Sequence, residues 1–142
     1  FGDILTEAAE YTSMVGDFRQ VPTDLLLAVR RVDDPYRFGV ISIDGDAIRR
    51  IVEKPAPGTA ESDWVNAGIF ITTPSLFDYT ERLRPSQRGE YEITDAIGAL
   101  IRRGTRIHAH VIEGYWTDVR DPEALAEAHD FVPPLPTAGA AD

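Results

Sequence analysis

Apolar residues fall in short blocks separated by polar or turn-forming stretches, and each block predicts one element. Leu25-Leu26-Leu27-Ala28-Val29 is a continuous apolar run, the pattern of a strand buried on both faces. Val40-Ile41-Ser42-Ile43 and residues 48–52 flank Asp44-Gly45-Asp46, and Asp-Gly between apolar runs signals a hairpin. Residues 64–72, with Val65, Ile69, Phe70 and Ile71, predict another buried strand. Residues 107–112 alternate as a half-exposed strand does. Residues 5–19 are mixed in pattern and predict a helix whose end Gly16 weakens. Three further helices have readable starts. Thr73-Pro74 offers an N-cap and a proline at the first helical position. Thr94 is positioned to cap a helix through Ala96, Ile97, Leu100 and Ile101 that Gly104 ends. Asp121-Pro122-Glu123 opens a last one with acid in its first turn.

Strands alternating with helices over short connections imply an α/β fold, with a mainly parallel sheet flanked by helices. The Asp44-Gly45-Asp46 hairpin makes the sheet mixed. Residues 1–131 read as one unit. Pro133-Pro134-Leu135-Pro136 and the small residues after it read as a disordered tail over 132–142.

Composition narrows the function classes. The 142 residues suffice for one domain with a real core. There is no cysteine, which excludes disulfides and thiolate metal sites and suits a reducing cytoplasm. No run approaches the roughly 20 apolar residues of a membrane span. The start, Phe1-Gly2-Asp3, has no basic-then-apolar signal pattern and no initiator Met, so the chain reads as cut from something longer. A net charge of −10 argues against non-specific binding to nucleic acid or an anionic membrane. Any phosphate ligand must then be held by locally placed cations, helix N-termini or a metal ion.

Six segments, in order, resemble sugar-1-phosphate nucleotidylyltransferases, closest in flavour to the glucose-1-phosphate thymidylyltransferase group. They are Phe1-Gly2-Asp3, Arg37-Phe38-Gly39-Val40, Val52-Glu53-Lys54-Pro55, Val65-Asn66-Ala67-Gly68-Ile69-Phe70, the run from Arg88 to Asp95, and Gly114-Tyr115-Trp116-Thr117-Asp118. Each is weak alone; order and spacing carry the resemblance, which covers residues 1 to about 131. It implies an incomplete Rossmann-like nucleotidyltransferase fold, of which this chain is the C-terminal, sugar-phosphate-binding half. The implied reaction joins a glucose-1-phosphate-like sugar to a nucleoside triphosphate (dTTP or UTP) and releases pyrophosphate. That chemistry brings two anions together, so it needs Mg2+, cations and positioning more than a protein base.

The resemblance implies roles for particular residues. Asp3 and Asp118 match the two Mg2+ carboxylates; the plain alternatives are a solvated terminal acid and a turn aspartate. Arg120 stands where the family usually has glycine, and it could bind phosphate or crowd the metal. Lys54 and Arg88 match the cations that hold the sugar phosphate, Glu53 a carboxylate for sugar hydroxyls, and Asn66, Gly68 and Gly39 the rest of the sugar site. Adjacent side chains on a strand face opposite ways, so Glu53 and Lys54 can serve one ligand only at a strand end or bend, which Pro55 makes plausible. Without the resemblance, Glu53-Lys54 is a solvated ion pair and residues 88–92 a solvated charge cluster.

The family's glycine-rich triphosphate loop, which precedes the Gly-Asp segment, has no counterpart here. The first strands of the sheet are missing with it, so a sheet edge is expected to be covered by the missing N-terminal half, another chain or self-association into an oligomer. A non-catalytic sugar-phosphate-binding or regulatory subunit is the alternative reading. Asp44-Gly45-Asp46 also has the look of a glycosyltransferase Asp-x-Asp metal motif, but the hairpin accounts for it. His108 and His110 share a strand face with no third ligand in view, and an exposed face accounts for them.

Overall fold

The computed structural model describes residues 3–131; Phe1, Gly2 and the expected tail at 132–142 lie outside the described residues. Seven strands and four α-helices follow one another: β1 (Ile4–Thr6), α1 (Ala8–Gln20), β2 (Leu25–Arg31), β3 (Gly39–Asp44), β4 (Ala47–Glu53), β5 (Trp64–Thr72), α2 (Phe77–Thr80), α3 (Ile93–Arg102), β6 (Ile107–Val111), β7 (Trp116–Asp118) and α4 (Pro122–Phe131).

Five strands close into a ring in the order β2-β5-β3-β4-β6, and β1 pairs with β7 in a separate ribbon. The sheet is mixed, as expected. It is not mainly parallel among the described residues: β2–β6 is the parallel pair, and the other pairings are antiparallel. No α-helix separates β2, β3, β4 and β5, and helix-free connections give antiparallel neighbours. The open sheet edge expected from the sequence is not found in this ring, which closes on itself among the described residues; its thinnest seams are β3–β5 at Val40↔Val65 and β4–β6 at Ala47↔His108.

β2 is the spine, as its apolar run predicts. Leu25, Leu27 and Val29 face a core with Ile41, Ile97, Leu100 and Ile107, roofed by α3. Leu26 and Ala28 face a second core with Met14 of α1, Ala67 and Ile112. α3 earns its place by an apolar stripe in which Ala96, Ile97 and Leu100 are buried. Three expectations are corrected. Thr94 lies inside α3, whose N-cap is Glu92 with no side-chain cap bond. Thr73-Pro74 opens a short 3-10 turn before α2. His108 and His110 are buried at 4% and 6% exposure, not on an exposed face. His110 Nδ1 lies 2.7 Å from Asp17 Oδ2 and Nε2 3.3 Å from Glu10 Oε2, so α1 packs over that face with its acids turned inward. Asp44-Gly45-Asp46 is the hairpin expected, with Gly45 at φ 63° and Asp44 held by Arg49 at 2.8 Å.

Candidate functional site

The sequence-predicted residues converge at one end of the ring. Asp3, Gly39, Glu53, Lys54, Asn66, Gly68 and Asp118 all line one cavity of about 520 Å³, with Arg37, Phe38, Thr94, Trp116 and Arg120. Arg88 is not among the lining residues; its guanidinium pairs with Glu53, Glu90 and Glu92, which are.

Each position has a backbone cause. β4 ends at Glu53, and Lys54 turns into left-handed backbone at φ 39°, a region L-residues with long side chains rarely adopt. Lys54 N donates to Phe38 O at 2.9 Å, which anchors the bend. The bend puts two consecutive side chains into one cavity, which a regular strand forbids. In β5 the register against β2 shifts between Leu27↔Phe70 and Val29↔Asn66, so three residues oppose Ala28 alone. Gly68 sits in that bulge at φ 79° and donates its N–H to Asn66 Oδ1 at 2.9 Å. This fixes the Asn66 amide with its oxygen occupied and its two N–H donors available for a ligand. At Gly39 an added Cβ would stand 3.0 Å from Thr94 Cγ2 and 3.1 Å from Glu53 Oε2, so a larger residue would press on both side chains.

The β1–β7 ribbon brings the two candidate metal carboxylates together. Ile4 pairs with Asp118, and Val119 N donates to Asp3 O at 2.7 Å. Burial raises the Asp118 carboxyl above its ordinary value, and the Asp3 charge adds to this while Arg120, Lys54 and Arg37 oppose it. Two carboxylates placed this close repel one another, and a divalent cation relieves that repulsion. They fit Mg2+, which takes one or two carboxylates and completes its shell with phosphate and water. Among the described residues no group of three or more His, Cys, Asp or Glu could hold a metal ion.

The cations differ in what they have to offer. No carboxylate lies within ion-pair distance of Lys54 among the described residues, so its ammonium faces the cavity unpaired. Arg88 is engaged by Glu90 at 2.6 Å, Glu53 at 3.7 Å and Glu92 at 3.8 Å. Burial raises Glu53, and Glu92 adds to that, whereas Thr94, Lys54 and Arg88 favour its charged form. Thr94 Oγ1 is buried at the cavity wall without a well-formed hydrogen bond among the described residues.

Sequence reasoning gave no role to Arg37, Phe38 or Trp116. Phe38 packs on Trp116 at 5.7 Å between ring centroids, and Arg120 lies 4.5 Å over the Phe38 ring while reaching Asp118 at 3.6 Å. Trp116 Nε1 donates to Ala67 O at 2.9 Å, which ties the ribbon to the β5 bulge. Arg37 and Phe38 belong to a segment that carried the resemblance, which was the signal available for them. The loop before Trp116 is held by α1: Glu10 accepts from Gly114 N at 2.9 Å and Glu7 from Tyr115 N at 3.2 Å. Burial works against charge on Glu10, but the Gly114 amide, His110 and the Glu113 amide together outweigh it and lower its carboxyl.

Comparisons with known proteins identify the family. The Nucleotidyl transferase family matches residues 1–133. The low-salt glycan biosynthesis nucleotidyltransferase Agl11 of Haloferax volcanii is 37% identical over 107 residues, 75% of this chain and 29% of that protein. A glucose-1-phosphate thymidylyltransferase of Streptomyces griseus is 34% identical over 119 residues, 83% of this chain and 33% of that protein. A solved Bacillus anthracis structure, described as a glucose-1-phosphate thymidylyltransferase with sucrose, superposes with a TM-score of 0.76 at 32% identity. That alignment covers 92% of this chain and 51% of the other. A UDP-glucose pyrophosphorylase complexed with UDP-glucose shares the fold, with a TM-score of 0.79 at 24% identity over 90% of this chain and 51% of that one. The chain thus spans about a third of these curated relatives and half of these solved ones. It belongs to the nucleotidyl transferase family.

Proposed function

We propose that the chain forms the sugar-phosphate side of a sugar-1-phosphate nucleotidyltransferase. A glucose-1-phosphate-like sugar phosphate is its substrate, and dTTP or UTP is supplied from a nucleotide-binding half beyond this chain. The observation that carries this reading is the convergence of Asp3, Gly39, Glu53, Lys54, Asn66 and Asp118 on one cavity. Lys54 points a compact charge at the sugar phosphate, and its strained backbone keeps it beside Glu53. Glu53 accepts from sugar hydroxyls, and the Asn66 amide donates to them. The absence of a side chain at Gly39 leaves the ring its room. Asp3 and Asp118 would hold Mg2+, which neutralises charge on the phosphates when bound. Arg88 reaches the phosphate by exchanging its carboxylate partners for it.

The test is pyrophosphate release by a full-length protein that carries both halves. Asp118→Asn is expected to lower Mg2+-dependent turnover at least about 100-fold, the scale of one lost electrostatic stabiliser. Unchanged turnover would remove Asp118 from the reaction. A second reading, a non-catalytic subunit that binds sugar phosphate, draws on the engagement of Arg120 with Asp118 and of Arg88 with three carboxylates. It predicts sugar-phosphate binding with no turnover in the two-half protein.

A further inference from the structure

A second cleft, of about 560 Å³, lies between the α2–α3 connection and the C-terminal end of α3. Four arginines line it: Arg82 and Arg84 from the connection, Arg102 and Arg103 from the helix end. One carboxylate, Asp95, is in the lining. The chain as a whole carries 24 acids against 14 bases, so unpaired positive charge gathered in one place is unexpected. Arg31, Arg37, Arg49, Arg50, Arg88 and Arg120 each have a carboxylate partner. The four arginines of the cleft, all exposed, have none among the described residues, and neither do Arg19, Arg30 and Arg106; what sets the four apart is that one cleft gathers them.

Helix electrostatics explains only part of this. Arg102 ends α3 and Arg103 caps it, at the negative end of the helix, where cations are favourable. Arg82 and Arg84 are not on that helix. Like charges brought to one concave surface repel each other, and an anion bound among them offsets the repulsion. Two of the guanidinium groups already have a defined place. Arg103 Nη1 donates to Tyr79 Oη at 3.1 Å. Arg102 Nη1 lies back along α3, 3.3 Å from where a Cβ on Gly98 would stand.

We propose that this cleft is an anion site for a small phosphorylated ligand, separate from the sugar-phosphate cavity. The guanidinium fork matches phosphate oxygens, and the cleft has the size of small-molecule sites, roughly 300–1,000 Å³. Leu83, Pro85 and Ala99 give it apolar walls for the uncharged part of such a ligand. A nucleic-acid ligand is disfavoured by the net charge of −10.

Its position suggests an effector rather than a substrate. Ser86 lines the cleft and also touches the machinery of the first cavity: its hydroxyl donates to Glu92 Oε1 at 3.1 Å and accepts from Arg88 N at 3.2 Å. Glu92 and Arg88 form an ion pair, and Arg88 reaches Glu53. A ligand that draws on the Arg84–Ser86 segment therefore acts on the residues that hold Arg88.

The test is calorimetric titration of the 142-residue chain with inorganic pyrophosphate at physiological ionic strength. Arg84→Ala and Arg102→Ala are compared with Lys54→Ala, and circular dichroism checks the fold. The site predicts a binding event that survives Lys54→Ala and weakens at least about tenfold in Arg84→Ala and in Arg102→Ala. Arg84 lies outside α3, so its variant keeps the test open if the helix-end variant misfolds. Loss of all pyrophosphate binding in Lys54→Ala would overturn the proposal. So would wild-type titration by both arginine variants.

Discussion

At the residue scale, Lys54 concentrates the account. Its left-handed backbone at φ 39° costs stability and places its ammonium beside Glu53 in the cavity. Lys54→Gly should therefore raise thermal stability by about 1 kcal/mol while weakening sugar-phosphate binding. Calorimetric melting and ligand titration on the same variant check both halves of this. Lys54→Ala should keep the strain and lose only the binding. Glu53 gives a pH signature. Burial raises its carboxyl, so the folded state prefers the protonated form. That contribution is complete below the unfolded value of 4.5 and is lost as pH rises through the higher folded value. Glu53→Gln should melt higher than wild type at roughly pH 7.5, with the gap closing near about pH 4. A gap independent of pH would contradict the assigned cause. The bend at Lys54 was legible in the sequence only as a requirement, because Glu53 and Lys54 could share a ligand in no other way. Phe38 and Trp116 were not legible as partners, since their contact joins residues distant in sequence.

At the element scale, α1 acts as a brace. Its acids Glu7 and Glu10 accept from the loop that leads into Trp116 and Asp118, and Glu10 also faces His110. Glu10→Ala should destabilise the fold by about 1–3 kcal/mol, because it strips partners from a buried ring and a backbone amide. The lowered Glu10 carboxyl fixes the sign: the stabilisation is present above its unfolded value and fades as pH falls through the folded one. Denaturant melts of wild type and variant across the acid range should converge. This brace was invisible in the sequence, where residues 107–112 show the period of a half-exposed strand. Period reports alternation and cannot report what a distant helix lays over the polar face. β2 was fully legible, because five apolar residues in succession leave no polar face to expose. Leu27, fully buried in the larger core, should cost about 2–5 kcal/mol when replaced by Ala.

At the scale of the whole molecule, the sheet departs from the mainly parallel expectation because four successive strands are joined without an α-helix. The segments that carry the resemblance nevertheless meet at one cavity, since they mark strand ends and bends that the fold gathers there. The carboxylate partners of Arg88 were not legible: a loop side chain among Glu53, Glu90 and Glu92 takes its position from charges that the motif series does not rank. The chain covers 29% and 33% of two curated relatives and 51% of two solved ones. Under the proposed function it should turn over substrate only when joined by a half bearing the glycine-rich loop, a reconstitution readable as pyrophosphate release.

The most direct measurement is titration of the chain with glucose 1-phosphate, with and without Mg2+, beside Lys54→Ala. The proposed sugar-phosphate site requires saturable binding that weakens at least about tenfold in the variant, the loss of one charge-assisted contact to phosphate. Binding that ignores Lys54, or no saturable binding at millimolar sugar phosphate, would contradict it.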